Sequence, residues 1–311
     1  MLAAHVATLS PPAVSDAAAQ TPTRNVALTY DDLPFYYSAS EPSAARARAL
    51  RSSRQLQRAL MRHRAPATGF VNEVKLQELG EVGITILREW NRGIFELANH
   101  SFSHTDSNIL TIGEIEQEIL RGQRVTKSIV EAAGRSLQFF RFPYNHTGDT
   151  DEKRVGIERL LARHGYTMAA STIDTSDYLF AKAYDRAVMD NDRAIRRRVE
   201  QAYLDHTEQQ IQYYSDLNAK VLGHHPKEVA LLHLNTLNAV TADRMLKIYR
   251  RLGYRFVSLR EAQSDPAYRT PPAFPTKFGP MWAYRWAHER GIKVNRSLEK
   301  EPPSWVEAYA K

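Results

Sequence analysis

Cysteine is absent from this 311-residue chain, which excludes disulfides, thiolate metal ligands and a Cys nucleophile. No apolar run approaches the roughly 20 residues needed to cross a bilayer. No Rossmann or phosphate-loop glycine fingerprint follows any candidate strand, which disfavours a nucleotide-binding sheet. Basic residues are scattered, apart from Arg196-Arg197-Arg198 and the stretch Arg46 to Arg64. Both are read as solvated helix faces, and with neither a concentrated basic face nor a recognition module, no nucleic-acid partner is expected.

What is present is a hydrophobic content of 43%, enough to bury one large core. The chain is long for an ordinary domain but normal for an α/β barrel. A formal charge of +7 and a pI near 9.5 suit an anionic surface, polymer or membrane face without choosing among them. Residues 1–24 are rich in Ala, Pro, Ser and Thr and resemble the tail of an export signal. Ala17-Ala18-Ala19 supplies a small-residue cleavage site, although a basic start is missing and the apolar stretch Leu2 to Leu9 is weak. The expectation is an extracytoplasmic protein, with a cytoplasmic address as the alternative.

Seven short apolar or β-branched runs, at 26–30, 68–72, 94–98, 137–141, 166–170, 229–234 and 254–258, predict strands. Helical periodicity falls at 44–62, 75–92, 113–134, 153–164, 182–222 and 240–252. Strand-then-helix repetition implies parallel strands with right-handed crossovers, and a barrel of about seven or eight strands fits best. Active sites on such barrels gather at the C-terminal strand ends. Asp31-Asp32, His100, Arg141, Asp174 and His233 all fall at or just after strand ends in this pattern.

Asp31 and Asp32 close the run Val26-Ala27-Leu28-Thr29-Tyr30, and His100-Ser101-Phe102-Ser103-His104 follows the third strand. Two histidines at i and i+4 can face one ion from a helical turn or a tight loop, and one Asp makes three protein ligands. Three ligands leave positions for water and substrate, as catalytic sites do. The other Asp is then a spare base. A turn or helix-start Asp pair is the competing use, and the two histidines weigh against it.

These residues carry a resemblance to the polysaccharide deacetylases of the NodB homology type, metal-dependent enzymes that remove acetyl groups from sugars. Five segments match the family's motifs in order: TYDDLP at 29–34, HSFSH at 100–104, RFPYN at 141–145, DTSDY at 174–178 and LLH at 231–233. The resemblance spans roughly 25–265. It implies a deformed (β/α)7 barrel over that range, carrying the long helical insertion at 182–222, followed by a C-terminal extension at 266–311.

It further implies that Asp32, His100 and His104 bind one divalent metal ion, zinc ahead of cobalt or manganese. Asp31 would be the general base, Arg141 its partner, and His233 the general acid, oriented and charged by Asp177. The Tyr144 backbone amide would help hold the developing oxyanion, Leu231 would meet the acetyl methyl, and Tyr178 would form an aromatic wall. An acetylated glycan is the implied substrate.

Three positions depart from the family pattern: Leu33 and Asn145 stand where glycines are usual, and Tyr178 stands for a tryptophan. Loop backbones there are expected to differ, because glycine permits dihedrals that leucine resists. His146, His224 and His225 are assigned surface or loop roles. Tyr203, Tyr213 and Tyr214 with Arg196 to Arg198 either border a groove or brace the barrel wall. Trp282, Trp286 and Trp305 anchor the tail or stack sugars, anchoring being favoured. The rival functions are a ureide or cyclic-amide hydrolase on the same barrel and a non-catalytic glycan-binding protein.

Overall fold

The structure is a computed structural model that describes residues 24–37 and 42–311. The export-signal reading, including Ala17-Ala18-Ala19, lies outside the described residues. No described helix is long and apolar enough to cross a membrane.

Eight strands are present: β1 (Arg24–Leu33), β2 (Ala67–Val71), β3 (Phe95–Asn99), β4 (Phe139–Phe140), β5 (Thr167–Met168), β6 (Ile173–Asp174), β7 (Glu228–His233) and β8 (Tyr254–Val257). Between and after them run α1 (Pro42–Arg62), α2 (Lys75–Leu79), α3 (Glu81–Trp90), α4 (Ile112–Arg121), α5 (Arg124–Ala132), α6 (Asp151–Arg163), α7 (Asp177–Met189), α8 (Arg193–Leu222), α9 (Thr236–Arg251), α10 (Leu259–Gln263), α11 (Trp282–Glu289) and α12 (Ser304–Ala310). Three expected helices are each split in two. Gly80, at φ 54°, divides α2 from α3. Gly122 and Gln123 interrupt α4 and α5. Asn191, at φ 53°, ends the α7 run, and the Asp192 carboxylate restarts the chain as α8 by accepting from the N–H groups of Ala194 and Ile195 at 2.9 Å. Hydrophobic periodicity does not register breaks of one to three residues.

All strand pairs are parallel, in the order β5-β4-β3-β2-β1-β7-β6, with β8 beside β1. Val26 and Ala27 pair with both β7 and β8, whereas Leu28 to Tyr30 pair with β7 and β2, so β8 and β2 share one edge of β1 in succession. The two outer strands are consecutive in the chain. Residues 169–172 carry it from one to the other, with Ala169 N–H donating to the Phe140 carbonyl at 2.8 Å and Thr172 N–H to the Val229 carbonyl at 2.9 Å. The result is a deformed (β/α)7 barrel. The fifth expected strand, 166–170, shrinks to β5, and β6 appears where none is expected, which puts Asp174 at the end of β6.

As a central strand of the barrel, β1 is buried from Val26 onward, and its stretch Val26 to Tyr30 reads as an apolar run. The bulk of Leu33 is absorbed across the strand pair. A Cβ on Gly69 of β2 would collide with the Leu33 side chain, so the residue larger than the family's glycine faces a glycine of its neighbour. The left-handed conformation in this turn falls on Asp32, at φ 64°.

The tail is part of the packing. Trp282 and Trp286 are buried with Tyr268 in the main core, and Trp305 receives the Arg198 guanidinium 4.0 Å from its ring centroid. The tryptophans therefore anchor. Tyr203 and Tyr214 are buried too, and Tyr213 bonds the Tyr284 hydroxyl at 2.7 Å, so α8 braces the wall and these tyrosines border no groove.

Candidate active site

The C-terminal ends of β1, β6 and β7 and the loops after β3 and β4 meet around a cavity of about 300 Å³. Asp31, Asp32, His100, His104, Tyr144, Asp174, Tyr178, Leu231 and His233 line it. A larger cavity, about 510 Å³, opens at the strand starts near Ala67 and Phe95. The one His/Cys/Asp/Glu cluster among the described residues with metal-ligand spacing lies in the smaller cavity, at Asp32, His100 and His104. Their ligand atoms fall within 4.8 Å of one another.

The positive φ of Asp32 turns its side chain away from that of Asp31, so the adjacent carboxylates face different partners. Asp31 meets Arg141, whose Nη1 donates to Oδ1 at 2.7 Å. The buried guanidinium also donates to Thr29 Oγ1 and the Ala170 carbonyl, both at 2.8 Å, and lies 4.3 Å from the Phe70 ring centroid. Three bonds and a stacked face fix it, and it fixes the Asp31 rotamer. Asp32 Oδ1 lies 3.5 Å from His104 Nε2, and Oδ2 lies 3.5 Å from Lys75 Nζ. Burial raises the Asp32 pKa, but the charges of Lys75, His104, His233 and His100 outweigh it and hold the carboxyl well below the usual range.

His100 and His104 sit on a tight loop, not a helix. Ser101 and His104 are both left-handed, at φ 69° and 60°. Such residues cost about 1–3 kcal/mol each and persist only where neighbours over-determine them. Asn99 Oδ1 accepts from Ser101 N–H at 2.9 Å, and Glu118 Oε2 accepts from the N–H groups of Phe102 and Ser103 at 3.1 and 2.8 Å. Gly122, at the end of α4, presses on the Ser101 carbonyl so closely that a Cβ would overlap it.

The Arg141 carbonyl, 2.7 Å from His100 Nδ1, accepts its proton and leaves the Nε2 lone pair facing the cavity. Burial lowers the His104 pKa against the opposing pull of Asp32, to about 4, so this imidazole is neutral near pH 7. Asp32 Oδ1 is buried without a hydrogen-bond partner. An orphaned anionic oxygen beside two imidazole nitrogens with free lone pairs fits a divalent cation.

Across the cavity, His233 Nδ1 lies 2.7 Å from Asp177 Oδ1, and its backbone N–H donates to Oδ2 at 2.8 Å. Burial lowers the His233 pKa, but the charge of Asp177 and the bond to it prevail and lift it to about 9. Asn235, the N-cap of α9, also donates to Asp177 Oδ2 at 3.2 Å, as does Asn238. Leu231 lies two residues before His233 on β7, and Tyr178, at the start of α7, has its ring 6.0 Å from that of His233. In the loop after β4, Tyr144 and Asn145 are left-handed, at φ 58° and 55°. Asn is the side chain that best tolerates the conformation glycine would take there.

Several lining residues escape the sequence reading. Tyr36, just past the Asp pair, has its ring 5.3 Å from His233, and Phe142 precedes the Pro143 turn. Lys75, Asn235 and Asn238 give no signal beyond ordinary helix-start composition. Gly279 and Met281 come from the tail. Asp174 lines the cavity with its carboxyl pushed up to about 6 by burial, against the bond from Ser176 N–H. His146 pairs with Asp106 at 2.7 Å and His224 with Asp265 at 3.7 Å, and neither belongs to the Asp32, His100 and His104 cluster.

The polysaccharide deacetylase family model matches residues 18–169. No curated protein matches the chain. Among solved structures, similarity extends to a CE4 family pseudoenzyme from Bacillus anthracis, at 15% identity over 78% of this chain and 66% of that one, TM-score 0.51. A mutant of that pseudoenzyme with restored enzymatic activity aligns at 17% identity over 78% and 68%, TM-score 0.51. The polysaccharide deacetylase Bc1974 from Bacillus cereus aligns at 19% identity over 76% and 91%, TM-score 0.51. At these identities the structures speak for the fold, and the family model speaks for the homology. Residues 18–169, the part of the chain that matches the polysaccharide deacetylase family model, carry Asp31, Asp32, His100, His104, Arg141 and Tyr144.

Proposed function

We propose that this protein is a metal-dependent hydrolase that removes acetyl groups from a polysaccharide or oligosaccharide, with N-acetyl amides as the preferred bond. One observation carries the reading. Asp32, His100 and His104 bring their ligand atoms within 4.8 Å of one another, in the cavity that Asp31 and His233 also line. These three residues would hold a divalent ion, zinc ahead of cobalt or manganese. Such an ion, when bound, acidifies a water and polarises the acyl carbonyl.

The remaining chemistry belongs to the chain. Asp31, aimed by Arg141, takes the proton from water as it attacks the carbonyl carbon. The Tyr144 amide faces the oxygen on which charge develops. His233, kept protonated by Asp177, gives its proton to the departing nitrogen, so the C–N bond breaks to yield acetate and a free amine. Leu231 and Phe142 offer apolar surface to the methyl, and Tyr36 and Tyr178 flank the sugar side. Peptidoglycan, exopolysaccharides and chitin oligomers are polymers of this kind, and the export-signal reading of residues 1–24 agrees with them.

Acetate release from a panel of acetylated glycans, with metal-free, zinc, cobalt and manganese forms, tests the reading. Asp31→Asn should keep the metal and lose release by about 10²–10⁴-fold. Turnover of allantoin instead of glycans would assign a ureide hydrolase. Glycan affinity indifferent to chelators, with no product, would assign a binding protein.

A further inference from the structure

The stretch 274–285 lies outside the matched residues 18–169 and after the last strand, yet it meets the loop after β4 at Thr276, Gly279 and Arg285. Gly279 sits against the Tyr144 carbonyl oxygen so closely that a Cβ would overlap it. Thr276 N–H donates to the Gly148 carbonyl at 3.1 Å, and Trp282 N–H donates to the Ser171 carbonyl at 2.9 Å. The Ser171 hydroxyl in turn donates to Asn145 Oδ1 at 3.0 Å.

Arg285 closes the stretch and is 2% exposed. Its Nη2 donates to the Asn145 carbonyl at 2.8 Å, and Nη1 donates to Thr147 Oγ1 at 2.9 Å and the Phe274 carbonyl at 3.4 Å. Nε donates to the Pro280 carbonyl at 3.2 Å. All four acceptors are uncharged. A guanidinium bonded to neutral oxygens costs desolvation that the charge of nearby Glu289 only partly offsets, so its main contribution is geometric. The rigid planar fork ties the tail to a loop whose two left-handed residues, Tyr144 and Asn145, need outside support.

We propose that Arg285 is a positioning residue for the deacetylation: it clamps loop 143–147 against Gly279 and thereby aims the Tyr144 amide and ring at the reacting acyl group. The inference rests on the deacetylase reading and extends the working site into the tail.

The test measures kcat, KM, metal affinity and amide hydrogen exchange in Arg285→Ala, Arg285→Lys and Gly279→Ala. Misplacement of a positioning group by about 1 Å can cost about 100-fold, so Arg285→Ala should lower kcat by about that factor. KM and metal affinity should stay within about threefold, as expected for an interaction made mainly in the transition state. Arg285→Lys should recover part of the rate, and Gly279→Ala should reproduce the loss by displacing the same loop from the other side. Exchange at 144–147 should quicken while the His100–His104 loop keeps its protection.

Retained kcat in both Arg285→Ala and Gly279→Ala overturns the proposal, as does a parallel loss of metal affinity. If Arg285→Ala does not fold, Arg285→Lys and Gly279→Ala decide. If the parent releases no acetate from any glycan, the functional reading fails, and unchanged exchange at 144–147 in the variants would sink the clamp separately.

Discussion

Asp31 and Asp32 are chemically the same, and their neighbours alone divide their work. Arg141 holds one, and Lys75 and His104 hold the other. His233 shows the same dependence with a measurable consequence. Asp177 lifts its pKa to about 9, against burial, which pulls the other way. In the metal-free protein the imidazole should titrate near pH 9 by NMR, and Asp177→Asn should bring it down toward or below 6.5. If His233 is the general acid proposed above, the alkaline limb of acetate release should move to lower pH with it, because its proton is lost sooner. The sign for stability follows from a raised folded pKa: the pair's contribution is complete below about 6.5 and is lost as pH rises through about 9. An imidazole that titrates at 6.5 in both proteins would refute the coupling.

At the scale of elements, the exchange of bulk between Leu33 and Gly69 is the clearest case of adjustment to an unusual residue. Gly69→Ala should destabilise the protein by about 1–3 kcal/mol through overpacking against Leu33. Adding Leu33→Ala should return part of that loss in denaturant unfolding, because the two sites share one volume. Additive losses would show that they do not. The sequence made the alternation of strands and helices legible, and with it the strand-end placement of Asp31, His100, Arg141 and His233. It did not mark β6, whose two residues are too few for a pattern, or the breaks at Gly80 and Asn191. It offered a helical turn or a loop for His100 and His104. Asn99, Glu118 and the close approach of Gly122 select the loop, and these are contacts between elements.

At the scale of the whole molecule, metal binding proposed at Asp32, His100 and His104 would couple to global stability. Ligands that bind only the folded state stabilise it by about 2.7 kcal/mol at a hundred times their dissociation constant. Zinc at that level should therefore raise Tm by several degrees in calorimetry, and a chelator should reverse the shift. His104→Ala should abolish most of the zinc effect while leaving the metal-free Tm nearly unchanged, since this residue is only partly buried. An equal zinc shift in that variant would place the ion elsewhere. At this scale the tail also changes meaning: α11 joins the main core, α12 packs Val306 among Phe180, Tyr184 and Tyr203, and Arg285 reaches the loop after β4.

The order of residues by itself determined the parallel barrel, the acid pair, the histidine pair and the aromatic, proline-bounded turn at 141–145. Each of these is written in neighbouring positions, and local chemistry is enough to recognise it. Tertiary structure alone decided that Asn235 and Asn238 support Asp177, that Gly279 and Met281 line the cavity, and that Arg285 bonds the loop after β4. Those relations join residues far apart in the chain, and only the closing of the barrel and the return of the tail bring their atoms within bonding distance.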